Sequence, residues 1–495
     1  MPDQRYARRL IRGSSIVFIF SIIAAGLAYL LRILYARMLS PETFGLFYAV
    51  FAFVSLFIGF KGLGTNSAAF KYIAEYNAKG DAQRTKNTTL YFTIIQFIVF
   101  GIITLALVFF SDTLAQHYFK NASANLMLII IAIAFLCQTF ESMISTLFSG
   151  LQRMGWYAGM DLAGNIIVLG ASLIFFALGM TAMTPVYALL ATFVLTPLFF
   201  WFFVPYVYPA WKKTSITWEP ALLKKLFLFG MPMLGAMVGT SVLGYIDTIA
   251  LTTLRTLQEV GFYNVAIPFA ALLRFIAKPI SVVIMPLASE MEAIKQGALG
   301  AGLKKLYIFL TIGMLPFTIA TAFFAETLIT FFFGATYLPG AIALRILVIG
   351  AIPGAIALIN GNMLVGSGHP AYGMKIILAG AITSTILNFT LVSSLGMRGA
   401  AIANIASSII TFLYSVIIIK KVLKGNMPWL NWLKTFFAGT GFFLTLYLLK
   451  AYTLFIPMVD AIIFSAIATS VYGILLLLLR VISISEIRTL VAQVK

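Results

Sequence analysis

Arg32, Lys61, Arg274, Lys278 and Arg345 each lie inside a stretch of sequence otherwise apolar enough to be buried in lipid. Such side chains are suited to holding an anion, because guanidinium and ammonium groups give charge-assisted hydrogen bonds to phosphate oxygens. A basic group near the middle of a bilayer costs about 2.5–3.5 kcal/mol on insertion scales, so a set of this size predicts a wet cavity. Arg274 and Lys278 are four residues apart and share a helical face, where like charges repel unless an anion joins them. Acids at comparable depth are fewer: Glu141 and Asp247, with Asp161 and Glu326 nearer the ends of their stretches. The five cations are therefore read as substrate-binding residues for an anionic group, a phosphate or diphosphate. Glu141 and Asp247 are read as ion-binding or pairing groups. Snorkelling or internal pairing, Arg32 with Asp247 for instance, is the structural alternative.

No other constellation carries chemistry. His117 and His369 fall in loops of opposite orientation, and Cys137 is the single cysteine, so neither a metal site nor an intramolecular disulfide is expected. Lys61-Gly62-Leu63-Gly64-Thr65 has the glycines of a phosphate loop but lacks its Gly-Lys-Ser/Thr ending; a helix break is expected there instead. Prolines at 232, 268, 279, 286, 316 and 353 suggest kinks. With no paired carboxylates in a polar loop and no nucleophile elbow, no catalytic residue is expected and the chain reads as a non-enzyme. No cofactor is expected, and H+ or Na+ coupling is compatible with the deep acids.

The elements that position these residues follow from composition. Of 495 residues, 61% are hydrophobic and 10% charged, against about 25% charged in an ordinary soluble domain. In lipid every backbone N–H and C=O must be paired, and these runs lack the alternation of barrel strands, so they must be helices. Spans are expected at roughly 13–37, 44–66, 88–110, 125–150, 157–179, 184–208, 224–250, 261–288, 303–327, 339–365, 372–395, 399–420, 432–450 and 457–480. This is an all-α polytopic membrane protein of about fourteen helices. The basic start, Met1 to Arg12, precedes a run too long for a signal peptide and is read as the lead into an uncleaved first span.

Twenty-four of the 34 lysines and arginines fall on one side of that layout, while the opposite loops hold Lys120, Arg255, Arg398 and Lys450. The positive-inside rule makes the first side, with both termini, cytoplasmic, and the protein is expected in the cell membrane. A net charge of +19 is then spread over short loops facing anionic headgroups, so membrane lipids rather than nucleic acid are its partners.

An internal repeat organises the helices. A shift of 216 residues brings Gly45-Leu46-Phe47 onto Gly261-Phe262-Tyr263 and Leu162-Ala163-Gly164 onto Leu378-Ala379-Gly380. One residue more aligns Leu178-Gly179-Met180 with Leu395-Gly396-Met397, and Lys61 with Lys278. Two pseudo-symmetric six-helix lobes, 1–210 and 211–424, are expected, followed by helices 13 and 14 in 425–495. Parallel repeats of this kind describe transporters that rock about a central site.

Ala36-Arg37-Met38-Leu39-Ser40-Pro41-Glu42-Thr43-Phe44-Gly45-Leu46-Phe47, Tyr72-Ile73-Ala74-Glu75-Tyr76 with Lys79-Gly80-Asp81, and Asp247 with Val260-Gly261-Phe262-Tyr263 carry a family resemblance. With the 6+6+2 layout, the chain resembles the polysaccharide transporter family of oligosaccharide-lipid flippases, O-antigen flippase-like members of the multidrug/oligosaccharidyl-lipid/polysaccharide exporter superfamily. The resemblance implies a MATE-like fold of two six-helix bundles. It implies alternating access that moves a polyprenyl- or dolichyl-(di)phosphate-linked oligosaccharide outward for surface polysaccharide or glycan assembly, beside other polysaccharide-assembly membrane proteins. The related lipid II flippases carry an Arg-Asp pair late in span 1; Arg32 matches the arginine, but Ile33 replaces the acid, which argues against a peptidoglycan precursor. The alternative is a cation-coupled multidrug exporter of the MATE type. Such exporters use embedded acids in the first lobe, and spans 1 to 3 hold none except Glu75 at an expected end.

Overall fold

Local sequence sets where the helices begin and stop. The computed structural model describes residues 3–275, 277, 299–423, 425–452 and 455–482, including the side chains except those of 3–15, 232 and 299–302. Helix α1 (Asp3–Met38) is followed by α2 (Pro41–Leu56). Ser40 caps α2, its Oγ accepting the Thr43 backbone N–H at 3.2 Å, with Pro41 in the first turn beside Glu42. These are the preferred residues at a helix start. After the short α3 (Ile58–Lys61), the chain turns through Leu63 at φ 45° and Gly64 at φ 78°, and α4 (Thr65–Ala78) sets off. The break expected at Lys61–Thr65 is thus present. Gly80 at φ 72° ends α4, and Asp81 caps α5 (Ala82–Phe109) by accepting the Arg84 N–H at 2.9 Å. The Lys79-Gly80-Asp81 triplet is therefore a stop signal followed by a start signal.

The chain continues as α6 (Ser123–Gly150), α7 (Met154–Ala177), α8 (Thr184–Trp201), α9 (Pro220–Leu254) and α10 (Leu257–Phe275). It resumes as α11 (Leu299–Phe323), α12 (Ala325–Phe333), α13 (Gly340–Leu347), α14 (Ala351–Gly366), α15 (Pro370–Leu395), α16 (Met397–Leu423), α17 (Trp429–Leu449) and α18 (Pro457–Leu478). Thirteen spans long and apolar enough to cross a bilayer are present among the described residues. The span expected at 261–288 is covered by α10 as far as Phe275; its remainder, with Lys278, Pro279 and Pro286, lies outside the described residues. Pro268 and Pro316 sit inside continuous helices, whereas a 3-10 turn at Val348–Gly350 interrupts the tenth span just before Pro353.

By packing, the chain divides into two compact units, Met1–Gly261 and Phe262–Lys495. In the first, α1 lies on α7, α8 on α6 and α7, α5 on α6, and α9 against α2, α3 and α4. The seventh helix therefore travels with the first six. Gly45 and Gly261, matched by the internal repeat, meet here: a methyl on Gly45 would collide with the Leu257 carbonyl and come within 2.8 Å of the Gly261 nitrogen. Small residues that let helix backbones touch are the usual means of close packing in lipid. In the second unit α15 pairs with α16, α17 with α18, α14 with both α15 and α16, and α11 with α17.

Candidate functional site

Arg32, Lys61, Glu141 and Asp247 belong to the first unit, and Arg274 and Arg345 to the second. Among the described residues Lys61 is the most enclosed of the cations, only 4% exposed. It ends α3 just before the glycine break, and the break is seated by a second close approach: Gly64 abuts Gly230 of α9, whose own Cβ position is 2.8 Å from the Thr65 nitrogen. The Lys61 Nζ donates to the Phe135 carbonyl at 3.3 Å and to Gln138 Oε1 at 3.2 Å, and lies 5.6 Å from the centre of the Phe100 ring. Both acceptors are neutral oxygens. No carboxylate oxygen lies within 4.0 Å of it among the described residues.

Glu141 is one helical turn beyond Cys137 and Gln138 on α6 and faces the same region, close enough to Lys61 and Asp161 to feel both charges. Its Oε2 is inaccessible and has no hydrogen-bond partner among the described residues. Asp247 on α9 is 6% exposed. The Arg32 guanidinium carbon stands 4.1 Å over the Tyr48 ring, a cation–π arrangement that gains strength where water is scarce.

In the second unit Arg274 is half-buried on α10, and its Cδ lies 3.5 Å from where a Gly354 Cβ would sit. The glycine leaves room for the arginine stem. Arg345 donates to Glu326 at 2.8 Å, and both side chains are well exposed, 43% and 59%. Arg345 also borders a partly open cavity of about 960 Å³ lined by α11, α13, α14, α16 and α17. Phe323, Ile352, Phe412 and Trp432 give that cavity an apolar wall. Trp429 stands at the start of α17 and Lys450 just past its end, and 21 helical residues extend about 31 Å, close to the thickness of a hydrocarbon core. The cavity thus combines a long apolar surface with two basic groups, the chemistry of a lipid tail and an anionic head.

Two polar networks carry no signal that sequence reasoning used. Tyr307 donates to Asn360, whose Nδ2 donates to Ser415 Oγ at 2.8 Å, joining α11, α14 and α16 through buried groups. On the basic side, α5 clasps the segment leading to α9. Lys86 donates to the carbonyls of Trp211 and Thr214, both at 2.8 Å, and Asn87 to Thr217 Oγ1 and Glu219 Oε1. Tyr91 donates to the Thr217 carbonyl at 2.7 Å and accepts the Glu219 N–H at 2.6 Å. The spacing of Asn87 and Tyr91, four residues apart on one face, is the clue that was available.

The family described as "Polysaccharide biosynthesis protein" matches residues 10–292. An uncharacterized membrane protein of Methanocaldococcus jannaschii is 27% identical over 508 residues, 99% of each chain. The "Probable low-salt glycan biosynthesis flippase Agl15" of Haloferax volcanii is 22% identical over 404 residues, 80% of this chain and 81% of that one. Among solved structures, the lipid II flippase MurJ in an inward closed conformation superposes with a TM-score of 0.73 at 17% identity, over 92% of this chain and 98% of that one. An inward-facing MATE-family multidrug transporter of the MOP superfamily gives 0.63 at 18% identity, over 82% and 99%. These likenesses show the fold, which the chain shares with both structures.

Proposed function

We propose, from the premise that this chain belongs to the polysaccharide biosynthesis protein family, that it is a flippase for a polyprenyl- or dolichyl-(di)phosphate-linked oligosaccharide. It moves that lipid across the cytoplasmic membrane by alternating access, with both termini on the cytoplasmic side. The observation that carries the reading is Lys61: a buried basic side chain held by two neutral oxygens, with no carboxylate oxygen within 4.0 Å among the described residues, is placed to meet an arriving phosphate. Arg32, Arg274, Lys278 and Arg345 extend that role, and the apolar cavity beside Arg345 and Lys450 suits an isoprenoid chain. Glu141 and Asp247 are the groups for a coupling cation, H+ or Na+. The Agl15 relative, named for glycan biosynthesis, supports a glycan cargo. The relatives that bear functional names are flippases and transporters rather than enzymes.

Depletion of the protein in its own cell, followed by analysis of lipid-linked oligosaccharides, tests this. One such species is expected to accumulate on the cytoplasmic leaflet while the surface glycan it supplies declines. Unchanged glycan pools, with raised sensitivity to cationic drugs, would replace the flippase with the exporter.

A further inference from the structure

Asparagine followed by any residue but proline and then serine or threonine is the acceptor triplet for N-linked glycans. The chain has three: Asn87-Thr88-Thr89, Asn121-Ala122-Ser123 and Asn388-Phe389-Thr390. The structure separates them. Asn87 is fully buried, with its Nδ2 donating to Thr217 and Glu219, and the Thr89 hydroxyl donates to the Thr85 carbonyl. Asn388 is fully buried within α15, with its Nδ2 donating to Ser384 and the Thr390 hydroxyl to Ile386. Both are spent on packing.

Asn121 differs in every respect. It lies between α5 and α6 in a connection that carries Asp112, His117 and Lys120, opposite the basic face. Its Oδ1 accepts the Ser123 backbone N–H at 2.9 Å, folding the triplet into an Asx turn. Lys120, at φ 52°, turns the chain just before it. Among the described residues neither the Asn121 Nδ2 nor the Ser123 hydroxyl has a hydrogen-bond partner. Ser123 is exposed and Asn121 half-exposed. The 28 residues of α6 measure about 42 Å against a core of about 30 Å, so its first turn has length to stand clear of the hydrocarbon.

We propose that Asn121 is an N-glycosylation site on the outer face, modified by an oligosaccharyltransferase that uses a lipid-(di)phosphate-linked oligosaccharide. In the transfer the Asn121 Nδ2 bonds to C1 of the first sugar and the C1–O bond to phosphate breaks. The lipid (di)phosphate leaves with the bonding pair, and one amide proton passes to a base of the transferase. The donor is of the class this chain is proposed to deliver, so the protein carries a copy of its own cargo. The assignment rests on the orientation given under the proposed function.

The full chain is translated into microsomes that contain an oligosaccharyltransferase, and its electrophoretic mobility is compared before and after glycosidase. One glycan's upward shift is expected, lost in Asn121→Gln and in Ser123→Ala and kept in Asn87→Gln and Asn388→Gln. A fifth variant carries a flexible twelve-residue spacer before Lys120. A shift in the spacer variant alone overturns the proposal, because the native triplet then sits too near the bilayer. No shift in either overturns it through the orientation. Complementation of a depleted strain by Asn121→Gln reads the flippase separately: rescue without the glycan leaves that reading intact, and failure of the wild-type chain to rescue removes it whatever the glycan does.

Discussion

Replacing Lys61 by methionine separates the two things a buried lysine can do. The change keeps an unbranched side chain, one heavy atom shorter, and removes the charge. In the folded protein the Nζ makes two bonds to neutral acceptors at 3.2 and 3.3 Å, both at the long end of the useful range. Hydrogen bonds to charged groups contribute about 1.5–3 kcal/mol, here near the lower figure. Their sum, about 3 kcal/mol, is matched by the roughly 2.5–3.5 kcal/mol that an ammonium costs at membrane depth. Stability should therefore change by no more than about 1 kcal/mol, too little to unfold a protein of this kind. A phosphate that relied on the ammonium would lose a charge-assisted contact of about 1.5–3 kcal/mol, a fall of roughly 10- to 150-fold in apparent affinity. The assay is flipping of a lipid-linked oligosaccharide in proteoliposomes beside a thermal melt in the same detergent. Glu141 is close enough to feel the lost charge, so Lys61→Met/Glu141→Gln is measured too; it should recover any stability lost by the single variant and none of the flipping. Wild-type flipping by Lys61→Met would refute the reasoning. So would a loss of more than about 3 kcal/mol that the double variant fails to restore, since Lys61 would then be a structural pin.

Three further substitutions probe the frame and the second unit. Gly45→Ala should lower stability by about 1–3 kcal/mol because its methyl collides with the Leu257 carbonyl; Gly26→Ala, with nothing within 4 Å, should be neutral in the same melt. Asn87→Ala leaves the partners of a fully buried amide unpaired at a cost of about 1–3 kcal/mol, and limited proteolysis should then cut within 211–219, where the wild-type chain resists. Glu326→Gln should move stability by less than about 1 kcal/mol, the usual worth of an exposed ion pair, and leave flipping near normal, whereas Arg345→Gln, with equally small effect on stability, should reduce it.

What the sequence made legible was whatever depends on periodicity and on local backbone chemistry. Hydropathy located the spans, and Gly62 with Gly64 marked the break, because each acts within a few residues of itself. The repeat match of Gly45 with Gly261 pointed to equivalent positions in two lobes and did not say that the two glycines touch each other. Partners distant in sequence were out of reach. The Lys61 Nζ is met by the backbone carbonyl of Phe135, and any residue type supplies a carbonyl. The Arg345–Glu326 contact depends on how the chain folds back through Gly334, at φ 100°, and Pro339 to begin α13. The clasp of Lys86, Asn87 and Tyr91 lay out of reach for the same reason, since its acceptors are about 125–130 residues further on.

The placement of the basic groups has a physical reason that joins these two levels. Lys61 occupies the last turn of α3, and Arg345 the last turn of α13, just ahead of a 3-10 turn. A helix end concentrates partial negative charge from its free carbonyls, which favours a cation in the last turn by about 0.3–1 kcal/mol, and up to about 2 kcal/mol when partly buried. Interrupting a span therefore offsets part of the cost of placing a cation inside it, and at Lys61 no carboxylate oxygen lies within 4.0 Å among the described residues. Non-helical backbone is tolerated at such depth only where protein or water satisfies it, and Gly64 meets that condition by lying directly against Gly230. The glycines, the break and the lysine are thus one device: Gly62 and Gly64 permit the interruption, the interruption supplies the helix end, and the helix end with two neutral acceptors lowers the cost of a lysine in lipid.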